Sequence, residues 1–386
     1  MYSVTRLTAY CEKIPSGGGE IFLNQNRFEI ITADNDSHWN GILEEIGVFD
    51  FYHLSLYHRL AEIRAEGSAV MPVYREGDYI IAFPLLLRDI DVIPNTHGFK
   101  DATSVYGYAG PISSATDIPD DVKKRFMQAL QEFYESYGVV SAFSRLHPLI
   151  SQSKLLDGYG TIAEIGDTLS IDLTVPQDVQ VSRYRRGHKR DIRELKEMDF
   201  TCHEAGVDYL DDFVRIYHST MRRADAEEIY FFDKSYFEYL MQEMPEVVHL
   251  FVCKDGDKVV SVFIGALCNN VMEGHLGGTA DEYLPLAPAK LLYDAVRIWS
   301  NEAGARILHL GGGVGAKHDS LYDFKLGFGC QQHSFAVWKH VVNQRLYDDL
   351  CYEICQRAGT EPGTAYFPLY RHPELQPNQH ADLAAV

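Results

Sequence analysis

Three groups of residues have types and spacings that could do chemistry. In the first, the apolar run Ile307-Leu308-His309-Leu310 leads into Gly311, Gly312, Gly313 and Gly315. The charged stretch Asp319 to Gly329 follows and contains Lys325. A buried strand, a glycine turn and a short helix would set backbone N–H groups and one lysine beside a strand end. An anionic group can be held there. In the second group, Glu273 and His275 alternate with Met272 and Gly274 along one strand, so their side chains share a face. Either is a candidate general base, and a histidine near its ordinary pKa suits proton transfer at neutral pH.

The third group is the densest in charge. Residues 182 to 193 carry six Arg or Lys and one Asp, inside a chain of net charge −20. At helical spacing, Tyr184, His188, Ile192 and Leu195 share one face, while Arg185, Lys189 and Arg193 share another. Guanidinium forks bind phosphate oxygens in pairs, so Arg185, Arg186, Lys189 and Arg190 form a candidate phosphate-docking face. The competing reading is a solvated helix with intrahelical pairs such as Arg190–Glu194. Met221 to Tyr230 is a charged connection between helices. With Arg222, Arg223 and Tyr230 it reads as either a substrate loop or an ordinary surface loop.

Several chemistries are excluded. The glycines after Leu310 lack the Gly-x-Gly-x-x-Gly spacing and strand–helix alternation of a dinucleotide site, and Lys317 lacks the ending of a P-loop. No His-Glu-x-x-His, Gly-x-Ser-x-Gly or metal quartet occurs, so no metal and no bound cofactor are expected. The seven cysteines are scattered without Cys-x-x-Cys, as reduced thiols would be. The acidic balance argues against non-specific coating of nucleic acid, and no DNA partner is expected. No apolar run approaches the ~18 residues of a spanning helix, and the first residues lack the apolar core of a secretory signal. A cytoplasmic location is the expectation, with peripheral membrane contact left open.

The elements that must position these residues come in two similar series. In the first, a helix over Leu54–Glu66 precedes strands over Ala69–Arg75 and Tyr79–Leu87 around Glu76-Gly77-Asp78. A glycine- and aromatic-rich stretch, Ser104–Pro111, follows. A helix over Asp120–Tyr137 then stops at Gly138, before a buried strand over Val139–Leu146. In the second, helices over Asp208–Met221 and Lys234–Met244 precede strands over Val247–Lys254 and Lys258–Cys268 around Asp255-Gly256-Asp257. A strand over Val271–Gly277, a helix over Pro288–Ala303 closed by Gly304, and strands over Arg306–Leu310 and Ser334–Val342 complete it. Arg75-Glu76-Gly77-Asp78 lies 179 residues before Lys254-Asp255-Gly256-Asp257, and Tyr57 stands at the same offset from Tyr236. A period this long implies duplicated domains. The expected division is 1–170, 171–343, and a C-terminal helix and tail over 344–386 that packs back on the first domain. The joint is expected in the polar stretch Ile165–Gln180. Hairpins mixed with single crossing helices favour an α/β (α+β) fold, with a mixed, mostly antiparallel sheet flanked by helices in each domain.

With these residues in view, the sequence resembles the Fem-type transferases, FemX, FemA, FemB and relatives, which consist of two tandem GNAT-like domains. Phe324-Lys325-x-Gly327-Phe328-Gly329 is the most specific match. The helix Arg185-Arg186-x-x-Lys189-Arg190-x-Ile192 resembles the one that opens the family's second domain. Ser104–Pro111 is similar to a first-domain segment, and Pro288–Gly313 looks like the family's helix followed by a Gly-Gly strand. The resemblance implies transfer of an acyl or aminoacyl group to an amine on a nucleotide- or lipid-linked, phosphate-bearing cell-envelope precursor. The implied donor is aminoacyl-tRNA or acyl-CoA. It implies Lys325 at the catalytic centre and substrate contacts at Tyr106, Gly311 and Gly312. Two departures stand out. The long helical arm of FemA is absent. Acid and proline in Thr279–Pro288 replace the pyrophosphate loop of ordinary GNAT enzymes, which disfavours acetyl-CoA. Two alternatives are an acyl-CoA-dependent N-acyltransferase and a binding protein that keeps the fold without catalysis.

Overall fold

The computed structural model describes residues 27–91, 93, 96, 98–150, 153–360 and 366–375. A glycine loop at 16–19, Cys11 and the last residues of the tail lie outside them. The strands are β1 (Phe28–Thr32), β2 (Ser68–Glu76), β3 (Tyr79–Ala82), β4 (Leu85–Asp89), β5 (Lys100–Thr103), β6 (Ile112–Ser113) and β7 (Val139–Arg145). They continue as β8 (Thr161–Asp172), β9 (Thr201–Ala205), β10 (Val248–Asp255), β11 (Lys258–Cys268), β12 (Val271–Thr279), β13 (Ile307–Gly311) and β14 (Gln331–Val341). The chain divides into two compact units. The first holds Met1–Val48, Ala61–Glu164 and Ala336–Val386, and the second holds Phe49–Leu60 and Ile165–Phe335. These units depart from the linear division expected from the sequence, since residues 49–60 group with the second unit and residues 336–343 with the first.

In the first unit the strand order is β6-β3-β2-β4-β5-β7-β14, with β1 on β2. The run Tyr79–Leu87, expected as one strand, is two. Pro84 has no N–H to give a ladder, so β3 ends before it and β4 begins after it. The helix Asp120–Ser136 crosses between β5 and β7, which pair in parallel. Its Phe126, Leu130 and Phe133 are buried against Val70, Phe83 and Trp338. The helix Gln344–Ala358 packs Leu346, Leu350 and Ile354 against Val140, Leu369 and Tyr370.

The second unit repeats the plan, with the order β8-β13-β12-β11-β10-β9. Its hairpin β10–β11 turns at Gly256, and the helix Ala289–Glu302 crosses between β12 and β13, again a parallel pair. Parallel strands need a crossover, and one helix supplies it in each unit. The division between the units falls at Glu164 and Ile165, and the stretch expected to hold the joint, Ile165–Gln180, is structured. Strand β8 runs to Asp172 and a short helix starts at Gln177. The first half of β8 is exposed or half-buried, while Thr168 to Ile171 are buried.

The two faces of this sheet differ. Ile171, Met272, Leu308 and Leu310 pack with Tyr184, Ile192 and Leu195 of the charged helix region and with Leu291, Leu292 and Val296. The opposite face carries Ser170, Glu273 and His309, all buried and directly opposed in the registers of β8, β13 and β12. Alternation along each strand produces this split, and a polar face removed from water needs internal hydrogen-bond partners. Among the described residues, no helix is long and apolar enough to cross a membrane.

Candidate active site

Strand β13 ends at Gly311, and the chain turns through residues 312–319 into the short helix Ser320–Leu326. Asp319 caps that helix. Its carboxylate accepts from the Tyr322 N–H at 2.9 Å and from the Val314 N–H at 2.9 Å, which folds the loop back on itself. The cap fixes the helix so that Lys325 points inward, and its Nζ donates to the Gly312 carbonyl at 2.6 Å. Lys325 is only 8% exposed. Burial lowers its pKa to about 8, against the opposing pull of Asp319 and Cys330. The ammonium keeps two further N–H donors for an acceptor that forms during a reaction.

The glycines that follow are explained by packing. A Cβ on Gly327 would fall inside the imidazole of His188, well within contact distance of three ring atoms. Gly329 has φ of +71°, and a Cβ there would lie 2.7 Å from the Arg183 carbonyl oxygen. Phe328, fully buried, stands edge-on to Tyr184 and His188. The seam is closed by hydrogen bonds from the Arg185 N–H to the Gly327 carbonyl at 2.8 Å and between His188 Nε2 and the Phe324 carbonyl at 2.9 Å. The Lys325 helix is thus docked on the start of the basic helix Arg186–Glu197.

The basic helix presents its charges to solvent, partly committed to neighbours. Arg185 donates to the Asp323 carbonyl at 3.2 Å, and Lys189 donates to the Ser182 carbonyl at 2.7 Å. Arg190 pairs with Asp191 at 2.8 Å and approaches Glu194 at 3.8 Å. Arg186 is exposed. The intrahelical pair Arg190–Glu194 forms, and the heads of Arg185, Arg186 and Lys189 face water.

Glu273 and His275 do share a side of β12, but they serve different partners. Glu273 is fully buried, and its carboxylate lies 2.7 Å from His309 Nδ1, across the β12–β13 pair. Burial holds His309 neutral, down to about 3. The nearby Lys325 charge pushes the same way and Asp50 opposes it. A neutral imidazole that donates Nδ1–H to a carboxylate satisfies this geometry. His275 Nε2 shares a 2.7 Å hydrogen bond with the Tyr236 hydroxyl and is ringed by Phe51, Tyr52 and Tyr57, with ring centroids 5.5 to 6.1 Å away. Desolvation pulls its pKa down to about 3, so it lacks the near-neutral basicity expected from the sequence. Asp50, fully buried, raises the pKa of both histidines without offsetting their desolvation. The β12–β13 ladder ends at Glu273 and His309, while β12 continues to Thr279 and β13 to Gly311. The strands part there, beside the loop that holds Lys325.

The remaining candidates are Arg222, Arg223, Tyr230 and Tyr106. Arg223 pairs with Asp281, which also accepts from Ser219 at 2.7 Å, so it anchors the start of the Asp281–Leu286 turn. Arg222 is exposed, and Tyr230 takes a hydrogen bond on its carbonyl from Tyr217. Tyr106 is half-buried in the first unit. The polar residues that the sequence reading missed are His309, Asp50 and Asp319. Of these, only His309 left a signal, a polar residue in the middle of an apolar strand.

Residues 182–325 match the family described as Acetyltransferase (GNAT) domain. No curated protein matches the chain. Among solved structures, the crystal structure of FemX superposes with a TM-score of 0.64 at 13% identity, over 83% of this chain and 99% of that one. A conserved protein of unknown function from Bacteroides thetaiotaomicron VPI-5482 superposes with a TM-score of 0.52 at 9% identity, over 81% and 99%. L-PGS from Bacillus licheniformis gives 0.50 at 13%, over 80% and 93%. At these identities the likeness is one of fold.

Proposed function

We propose that this chain, which matches a GNAT acetyltransferase domain over residues 182–325 and shares its fold with FemX, is an acyltransferase that forms an amide on an amino group of a phosphate-bearing cell-envelope precursor. The observation that carries this reading is the buried Lys325, held at the parting of β12 and β13 by the Gly312 carbonyl. The acceptor amine attacks the carbonyl carbon of an ester or thioester. The oxyanion that develops is met by the Lys325 ammonium, a preformed cation in a water-poor place. The attacking amine then loses a proton, and the oxyanion collapses to break the ester or thioester bond and release the donor's alcohol or thiol, which leaves with a proton. Glu273, hydrogen-bonded to His309, is the buried carboxylate on the strand next to that site, and it is our candidate to receive the proton.

The donor we favour is aminoacyl-tRNA, with no resident cofactor. The support is the Fem-type sequence pattern and the acidic Asp281–Leu286 turn, which stands before the helix Ala289–Glu302. Carboxylates at that position disfavour a pyrophosphate. The family model describes an acetyltransferase, which favours acyl-CoA as the second reading. Exposed cations at Arg185, Arg186 and Lys189 are our candidate contacts for substrate phosphate. We also propose a cytoplasmic location and a duplicated two-domain organisation. Thermal-shift titration with aminoacyl-tRNA and with acyl-CoA separates the donors, and mass spectrometry of envelope precursors identifies the acceptor. Lys325→Ala that retains full transfer activity would remove the assigned role.

A further inference from the structure

One pair of side chains in the second unit has chemistry that acyl transfer does not use. β9 is the edge strand of that unit's sheet and pairs antiparallel with β10, with Cys202 directly opposite Cys253. Directly opposed residues of an antiparallel pair project from the same face, with Cβ atoms ~4.5–5.5 Å apart. Here that face is the apolar one. Cys253 is fully buried in the cluster with Phe251, Val260 and Phe263, and Cys202 packs against the cluster from the partly exposed edge. Disulfides form across Cβ separations of about 3.5–4.5 Å, so a small approach of the edge strand suffices. Cys351 and Cys355 contrast with this pair. They stand one turn apart on a helix, where Cβ atoms are held about 5–6 Å apart and the backbone cannot close the gap.

We propose that Cys202 and Cys253 are a reversible dithiol site, bridged across β9 and β10 by a low-molecular-weight disulfide as oxidant. The thiolate of Cys202, at the exposed edge, attacks one sulfur of the small disulfide and expels one small thiolate. Cys253 then attacks the Cys202 sulfur of the mixed disulfide and expels the second. One S–S bond forms in the protein and one breaks in the oxidant. Two electrons pass to the oxidant, and the two protein thiol protons end on the two released thiols. Hydrogen bonding to Cys253 and burial hold the Cys202 thiol far above its ordinary range. The exchange is therefore slow at neutral pH and accelerates as pH rises. The bridge closes a loop that contains the helices Leu210–Arg223 and Lys234–Glu243 and the connection between them, residues 224–233. Such a closure restricts the unfolded chain and ties down the edge strand that follows the basic helix.

The test treats the full-length protein with oxidised glutathione at rising pH, blocks residual thiols, and maps peptides without reduction. The expected result is a peptide pair linking Cys202 to Cys253, with the mass of two hydrogens lost. It should form faster at higher pH and be reversed by dithiothreitol. Melting temperature should rise by several degrees on oxidation and fall back on reduction. In Cys253→Ser the glutathione should remain attached to Cys202, because nothing resolves the mixed disulfide. Persistence of mixed disulfide on Cys202 in the unaltered protein, linkage of other cysteines first, or full alkylation of both thiols after treatment would each overturn the proposal. The unaltered protein carries the test even if the serine variant folds poorly.

Discussion

Lys325 shows at the residue scale how function works against stability. Its pKa near 8 is below the ordinary lysine value, so the fold favours the neutral amine. Burial therefore disfavours the folded state fully below pH 8, and this cost is relieved as pH rises from about 8 towards 10.4, where the unfolded lysine titrates. Lys325→Met should raise the melting temperature at pH 7 by a few degrees and narrow the difference from the unaltered protein by pH 10. A thermal-denaturation series at both pH values checks this. The same variant should lose about a hundredfold to a thousandfold in kcat, the usual effect of removing one oxyanion donor. Because the proposed role needs the cation, kcat should fall as pH rises through about 8. A rise through that range instead would make Lys325 a base.

At the element scale, the structure assigns the glycines of Phe324 to Gly329 to docking rather than chemistry. Gly327 leaves room for the His188 ring, and the ring bonds the Phe324 carbonyl on the same turn. Gly327→Ala should destabilise the protein by roughly 1–3 kcal/mol through overpacking. His188→Ala should restore much of that loss when the two are combined, so a double-mutant cycle in urea reads their coupling. Strict additivity would separate the two residues. The pairing of Glu273 with His309 makes a second prediction on the elements β12 and β13. Glu273→Gln should keep the hydrogen-bond geometry while removing the carboxylate, lowering kcat by about a hundredfold with little change in melting temperature.

For the molecule as a whole, a net charge of −20 surrounds a helix dense in cations. Exposed cations attract phosphate over a screening length of ~8 Å at physiological salt, so the acidic remainder does not cancel them locally. Replacing Arg185, Arg186 and Lys189 together by glutamine should raise KM for a phosphate-bearing substrate and flatten its dependence on salt. It should leave kcat largely unchanged. Kinetics at two salt concentrations checks this, and an unchanged KM would return the helix to a solvated surface. A shared plan is visible at this scale too, because each unit has a hairpin turning at glycine and a parallel pair joined by a crossing helix.

The sequence by itself determined the elements with strong local signals. Gly138 and Gly304 closed the crossing helices, Asp255-Gly256-Asp257 made a hairpin, and hydrophobic periodicity marked the buried helix faces. Lys325 was singled out by the resemblance of Phe324 to Gly329 to the Fem-type motif. Only the tertiary structure decided the lysine's environment and its partners. The register that sets His309 beside Glu273 joins strands 36 residues apart, and no local pattern encodes it. The desolvation that holds His275 neutral comes from Phe51, Tyr52 and Tyr57, far away in the chain. Strand β8 has no clean local signal, and its place in the sheet follows from pairing with β13. Local sequence carries propensity and periodicity. Pairing, burial and the pKa values that follow depend on what the rest of the chain brings alongside.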